Sequence, residues 1–442
     1  MTWSNLEYIA DKLSSKLKEK VDEYLILVDE SKKRMLKLAN GEASVTQSWD
    51  NIEIGLYIAR GNGKMLSIGL STTSPEKAVG NIISLLDSME PSPMYAPLPE
   101  ASGEDYSLTD QAIIQYLEGT RELDLAGDLA LSEIGNSAGM AEIRYSKIML
   151  ANSMGGFLRG EKTKFTGYIR VFKGDRSGQW SWTSPRYDGG KQAKLSIEKA
   201  RDLAEECSRL PMGKIEPGEY RVLLSPMIAG NLVGELVRAA NAGRIVYGMS
   251  FINPGMIGEK LFSSMLTIRD EPRNPELPGY TSFDDEGVST KDKSVVEKGV
   301  LRTILHNSKT AKLMKTRTTG NAGIIMPRSF NLNVSPGDSP LSELLETLGN
   351  GLYLTNNWYT RYQNYSEGIF STVSRDSVFL VKNGEFKACL NRVRVADKMI
   401  NLFSNIEALG REVWPLEWWE IKPSAFIPHI LVGKTGVSLP EI

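Results

Sequence analysis

Ile9, Leu13, Leu17 and Val21 stand four residues apart with lysines between them, which predicts a helix over residues 6–21 with one apolar stripe. Short apolar runs follow at 25–28, 35–38, 52–58 and 65–70. Asn40-Gly41 and Gly61-Asn62-Gly63 separate them, so an antiparallel meander is predicted. Ser74-Pro75-Glu76-Lys77 reads as an N-cap with proline at the first helical position, and Val79, Ile82, Ile83 and Leu86 give the helix that covers one sheet face. Pro91, Pro93, Pro97 and Pro99 predict an extended crossing segment, followed by a second helical region over 109–131. Strand patterns return at 143–150, 165–172 and 179–182, divided by Gly155-Gly156 and by a hairpin turn at Gly174-Asp175, before a lysine-rich helix over 192–209.

Pro211, Gly213, Pro217 and Gly218 form the best linker in the chain and divide it into an N-terminal domain, residues 1–213, and a C-terminal domain, residues 214–442. The second half is mainly strand and turn. Two-residue turns at Lys298-Gly299 and Asn383-Gly384 sit between apolar runs and predict hairpins. Helices are predicted only at 227–240, 308–315, 342–348 and 396–405. Many strands with few crossover helices favour a closed or strongly curled β domain, giving an α+β chain. No repeat of solenoid or propeller period is present.

Composition narrows the function. Apolar residues make up 41% and charged residues 24%, as in a globular protein, and 52 Lys+Arg against 54 Asp+Glu leave a net charge of -2, with no excess for nucleic acid or an anionic membrane. The first residues lack the apolar core of a signal peptide and no membrane-length apolar run follows, so the cytoplasm is expected. Two histidines, His306 and His429, and two cysteines, Cys207 and Cys389, lie far apart in sequence. That is poor material for a zinc site or for an imidazole-activated nucleophile. The cysteines are expected to be buried or incidental thiols rather than a disulfide framework. His306, after the apolar run 301–305, is expected to bond locally at a hairpin end.

Asp284-Asp285-Glu286-Gly287 is the densest polar cluster. Adjacent acids repel unless something compensates them, which raises a hard-cation site. Neighbouring side chains of an extended segment point opposite ways, however, so the expected role is a turn whose acids cap backbone N–H groups or pair with Arg or Lys. Thr318-Thr319-Gly320-Asn321-Ala322-Gly323 is a small-residue loop without the spacing or lysine of a phosphate loop. Glu235 is a possible general base, although an exposed helical glutamate is the commoner case. Trp414, Trp418 and Trp419 offer either a partner contact or packing within the chain.

In order and spacing, Leu232-Val233-Gly234-Glu235-Leu236-Val237, Leu266-Thr267-Ile268-Arg269-Asp270-Glu271-Pro272, Phe283-Asp284-Asp285-Glu286-Gly287, Thr319-Gly320-Asn321-Ala322-Gly323 and Asn383-Gly384-Glu385 resemble the TldD/PmbA family, the modulator-of-gyrase family of metalloproteases. Leu38-Ala39-Asn40-Gly41 and Leu150-Ala151-Asn152-Ser153-Met154-Gly155-Gly156 extend the resemblance over nearly the whole chain. It implies an N-terminal α/β domain with an antiparallel sheet joined to a C-terminal domain of curled, barrel-like antiparallel sheet. It also implies two kinds of subunit. The TldD kind carries a His-Glu-x-x-x-His zinc motif on the helix that opens the C-terminal domain and a cysteine ligand near its end. Here residues 225–236 contain no histidine and residues 423–442 no cysteine, so the chain looks like the PmbA or TldE branch. That branch implies no catalytic residue, metal or cofactor of its own, and a dimeric complex with a TldD-like subunit that degrades unfolded or extended peptides. Asp284, Asp285, Glu286, Gly320 and Asn321, shared by both kinds, are then expected to shape a cavity wall. The alternatives are an independent hydrolase using a hard metal at Asp284, Asp285 and Glu286, and a homo-oligomeric peptide-binding protein.

Overall fold

The computed structural model describes residues 3–70, 75–119, 129 and 135–440. The expected stripe forms helix α1 (Trp3–Leu17), which buries Leu6, Ile9, Ala10, Leu13 and Leu17. The meander follows as β1 (Glu23–Ala39), β2 (Glu42–Ala59) and β3 (Met65–Leu70). Asn40 and Gly41 both adopt positive φ at the β1–β2 turn, the backbone that a type I′ hairpin requires. The runs 25–28 and 35–38 are one strand. The polar stretch between them pairs with β2 on one side and with β5 (Ser137–Asn152) on the other, so its backbone groups are satisfied without an apolar pattern. Helix α2 (Val79–Ser88) covers the sheet after a 3₁₀ turn at Pro75–Ala78, and its predicted cap Ser74 lies outside the described residues. Of the helical region 109–131, Gln111–Glu118 is helix α3, and most of the remainder lies outside the described residues.

With β4 (Tyr106–Leu108), β6 (Phe157–Lys173) and β7 (Arg176–Ser184) the N-terminal sheet has seven strands among the described residues, in the order β3-β2-β1-β5-β6-β4 with β7 also on β6. It is a curled, antiparallel half-barrel apart from the parallel β4–β6 pair. Helix α4 (Lys191–Arg209) packs its buried face, Ala193, Ile197, Ala200, Leu203, Ala204 and Cys207, onto β7. A Cβ on Gly178 of β7 would stand 2.2 Å from the Ala200 carbonyl oxygen, so the close approach of helix and strand depends on that glycine. One expectation fails here. Cys207, at the end of α4, is disulfide-bonded to Cys389, with 5.3 Å between Cα atoms. A sequence separation of 182 hid a pairing that only the packing of α4 against the second half creates.

That half begins with β8 (Gly218–Leu224) and helix α5 (Pro226–Ala239), whose first turn is capped by the Ser225 hydroxyl accepting from Met227 N–H at 3.2 Å. Then come β9 (Ile268–Asp270), β10 (Lys293–Glu297), β11 (Val300–Leu301), β12 (Asn331–Val334), β13 (Gly351–Asn364), β14 (Ile369–Lys382), β15 (Glu385–Leu390), β16 (Arg394–Lys398), β17 (Ile406–Trp418) and β18 (Ile421–Ser438). Both predicted hairpins are present, with positive φ at Lys298, Gly299, Asn383 and Gly384. Residues 396–405 divide differently from expectation. The first part is strand β16, paired with β14 and β18, and only Met399–Ser404 is helical. The sheet closes on itself through β8, which pairs with both β13 and β18, so β18, β16, β14, β13 and β8 form a ring. Pairing is mostly antiparallel, with parallel contacts at β12–β18 and β8–β13. The largest apolar core includes Trp180, Trp182, Ala200 and Cys207 together with the interior of the second sheet. Among the described residues no helix is long and apolar enough to cross a membrane.

Candidate functional site

The acidic segment is a tight turn, bridged between Phe283 and Ser289, with Gly287 at φ 83°. Its three carboxylates diverge. Asp284 accepts from the N–H groups of Glu286 and Val288, each at 3.0 Å, and from Ala322 N–H at 2.8 Å. Asp285 accepts from Ile324 N–H at 3.2 Å and from Arg328 at 2.6 Å. Glu286 accepts from the N–H and hydroxyl of Ser308, at 3.0 and 2.7 Å. Burial, and then the neighbouring Glu286, push the Asp284 carboxyl up to about 8 against the pull of its three N–H donors. Burial also raises Glu286, opposed by Ser308 and Lys309.

The small-residue loop joins the same network. Asn321 donates to Asp270 at 2.6 Å and to the Arg328 carbonyl at 2.8 Å, and accepts from the Thr319 hydroxyl at 2.8 Å. Gly320 has φ 67°, and a Cβ there would lie 2.6 Å from the Ser289 carbonyl oxygen. Asp270, fully buried, accepts from Phe330 and Asn331 N–H at 2.8 and 3.2 Å, with Lys293 at 3.7 Å. Asp284, Asp285, Glu286, Gly320 and Asn321 therefore meet in one buried polar junction whose carboxylate oxygens are already engaged by backbone N–H groups, the Ser308 hydroxyl and the Arg328 guanidinium. Among the described residues no three His, Cys, Asp or Glu side chains gather as a metal would require.

Of the five, only Asp285 reaches an open cleft. This lies between β1, β5 and β6 on one side and the segments 278–285, 328–330 and 417–424 on the other. Its charged walls, Asp29, Arg144, Lys162, Lys164, Arg328 and Glu417, come from both halves of the chain. Burial opposes the charge of Glu417, yet Lys164, Ser424 and Lys422 hold its carboxyl below the usual glutamate range. Sequence reasoning missed these residues. Lys162 and Lys164 share the alternating face of β6, but a charge pair there reads as a solvated face, and no local spacing links them to Asp29, Arg144, Arg328 or Glu417.

Helix α5 presents Asn231 and Glu235 one turn apart. Asn231 is buried, donating to the Glu420 carbonyl at 2.8 Å and accepting from Asn357 at 2.9 Å, while Glu235 pairs with Arg238. Neither histidine ring is bonded to either residue. His306 Nδ1 lies 3.2 Å from the Thr310 hydroxyl, the local bond expected of it, and His429 Nε2 lies 3.2 Å from the Tyr353 hydroxyl. The tryptophans split. Trp414 packs edge-on to Trp180 and Trp418 is buried near Tyr168, whereas Trp419 is 66% exposed.

Residues 217–439 match the family described as the PmbA/TldA metallopeptidase C-terminal domain. The chain is 26% identical over 277 residues to a metalloprotease of Methanocaldococcus jannaschii, covering 61% of each protein. It is also 26% identical over 246 residues to the metalloprotease PmbA of Escherichia coli O157:H7, covering 54% of this chain and 51% of that one. The chain thus spans between 51% and 61% of the length of these relatives. In fold it is similar to TldE from Thermococcus kodakarensis, with a TM-score of 0.81 at 18% identity over 97% of this chain and 99% of the other.

Proposed function

Because the chain belongs to the PmbA/TldD metallopeptidase family, we propose that it is a non-catalytic, TldE-like subunit that pairs with a zinc-bearing TldD-type protein and holds unfolded or extended peptides for it. The observation that carries this reading is the fate of the soft ligands. Both cysteines are joined to each other, both histidines are buried and bonded apart, and α5 contains no histidine. The residues present do not fit a zinc ion, which needs three or four such donors converging on one point. Peptide capture is supported by the architecture. Among the described residues β3 is the terminal strand of the N-terminal sheet, where backbone pairing with an extended chain gives affinity that tolerates any sequence. Exposed Trp419 and Tyr359, on either side of Glu420, support a partner-facing surface, because Glu420 accepts from Tyr359 N–H at 3.2 Å. The cytoplasm is the compartment we assign to the complex.

The test is reconstitution. Mixed with a TldD-type subunit, the chain should co-elute and support cleavage of an unfolded peptide; alone it should cleave nothing. Equal peptidase activity of the isolated chain would overturn the assignment.

A further inference from the structure

The cleft between the sheets has two lobes of about 290 and 240 Å³ that share Asp29, Lys162 and Arg328 in their walls. Each of its acids has a cation partner, although the second oxygen of Asp29 is buried without a hydrogen bond. Asp29 pairs with Arg144 at 3.2 Å, Asp285 with Arg328 at 2.6 Å, and Glu417 with Lys164. Lys162 and Lys422 also line the cleft, and among the described residues neither has a carboxylate within ion-pair distance. The Lys162 ammonium makes one long contact, 3.4 Å to the Tyr280 carbonyl. Burial, and then the cations Arg328, Lys164 and Arg144, which outweigh Asp29, lower its pKa to about 8. A half-buried cation among cations with one weak partner is unfavourable unless an anion completes its surroundings. The rest of the wall mixes hydroxyls, among them Ser146, Thr281 and Ser424, with apolar groups, of which Ile148, Phe330 and Pro423 border both lobes.

We propose that this cleft binds a carboxylate carrying an apolar body, of the kind that the C-terminal residue of a peptide presents, with Lys162 and Arg328 on the carboxylate and Phe330 and Ile148 against the side chain. A planar carboxylate suits the fork of a guanidinium, and inorganic phosphate would leave the apolar wall unused. The proposal rests on the peptide-holding reading only for its choice of probe. The isolated chain should bind without zinc or a partner, so the two ideas fail separately.

The experiment is calorimetric titration of the full chain with Ala-Ala-Phe, its C-terminal amide, N-acetylphenylalanine and inorganic phosphate. The free acid should bind at least about tenfold more tightly than the amide, the loss expected for one charge-assisted contact. Lys162→Met should shrink that preference, lowering affinity for the acid more than for the amide. N-acetylphenylalanine binding as well as the tripeptide assigns the site to free organic acids, and weaker binding assigns it to peptide ends; both keep the carboxylate. Equal affinity for acid and amide overturns the proposal, as does phosphate competing as well as either acid. Should Lys162→Met not fold, as judged by circular dichroism, the acid–amide comparison on the unaltered protein decides alone.

Discussion

Three backbone N–H groups, those of Glu286, Val288 and Ala322, converge on the carboxylate of Asp284 inside the polar junction. Removing the acceptor strands buried donors, so Asp284→Ala should lower unfolding free energy by on the order of 3 kcal/mol in urea titration. A metal-site role predicts instead that chelator treatment destabilises the unaltered protein and not the variant. The capping role was legible from the sequence as a preference, since adjacent acids on an extended backbone diverge. The partner was not, because Ala322 is 38 residues away. The histidines give a second prediction. Burial lowers His306 to about 4 and His429 to about 3 from 6.5, with Lys199 adding to the effect at His429. As pH falls below 6.5 the unfolded chain takes up protons that the folded chain refuses. The stability these groups confer is therefore complete above that pH and is lost progressively toward the folded values. Each should contribute on the order of 2 kcal/mol to the loss between about pH 7 and 4.5. His306→Gln and His429→Gln should each shrink that loss in paired urea titrations, and an unaltered pH dependence in both would contradict the assignment.

Elements were legible where pattern and turn chemistry act locally. The α1 stripe, the Asn40-Gly41 turn and the Lys298-Gly299 and Asn383-Gly384 hairpins all formed as the residues imply. Elements decided by distant partners were not. The polar middle of β1 is strand because β2 and β5 flank it, and Arg394–Lys398 is strand because β14 and β18 take it into the ring. The Cys207–Cys389 bridge belongs to the same class, an α4 residue meeting a β15 residue through packing alone. Replacing both cysteines by alanine should cost about 2–4 kcal/mol by denaturant titration, through the entropy restored to the unfolded chain. Disulfides seldom persist in a reducing cytoplasm, so thiol titration of the denatured protein, isolated without reductant, tests bridge and compartment together. No reactive thiol supports the bridge; two per chain would leave the cysteines as the isolated thiols their sequence context implied.

At the scale of the whole molecule the two sheets divide near the predicted linker, but the apolar core does not. Trp180 and Trp182 of β7, and Ala200, Leu203 and Cys207 of α4, share one cluster with the interior of the second sheet. Polar contacts follow the same route. Arg170 of β6 pairs with the fully buried carboxylate of Asp376 on β14, and the Ser377 hydroxyl donates to the carbonyls of Ser177 and Leu203 at 2.7 and 3.0 Å. A cut at residue 213 would expose the apolar face of α4 and β7 and deprive Asp376 of Arg170, leaving it Arg375 at 4.0 Å and Asn356 at 2.9 Å within its own half. We therefore expect residues 1–213 and 214–442, produced separately, to show no cooperative unfolding transition and to bind a dye for exposed apolar surface, and to recover both the transition and a one-to-one complex when produced together. A sharp transition in isolated 1–213 close to that of the full chain would establish instead that the halves are autonomous, with the shared core a docking surface. The outcome bears on the cleft as well, since a site walled by β1, β5 and β6 on one side and residues 278–285 and 417–424 on the other has fixed geometry only if the halves fold as one body.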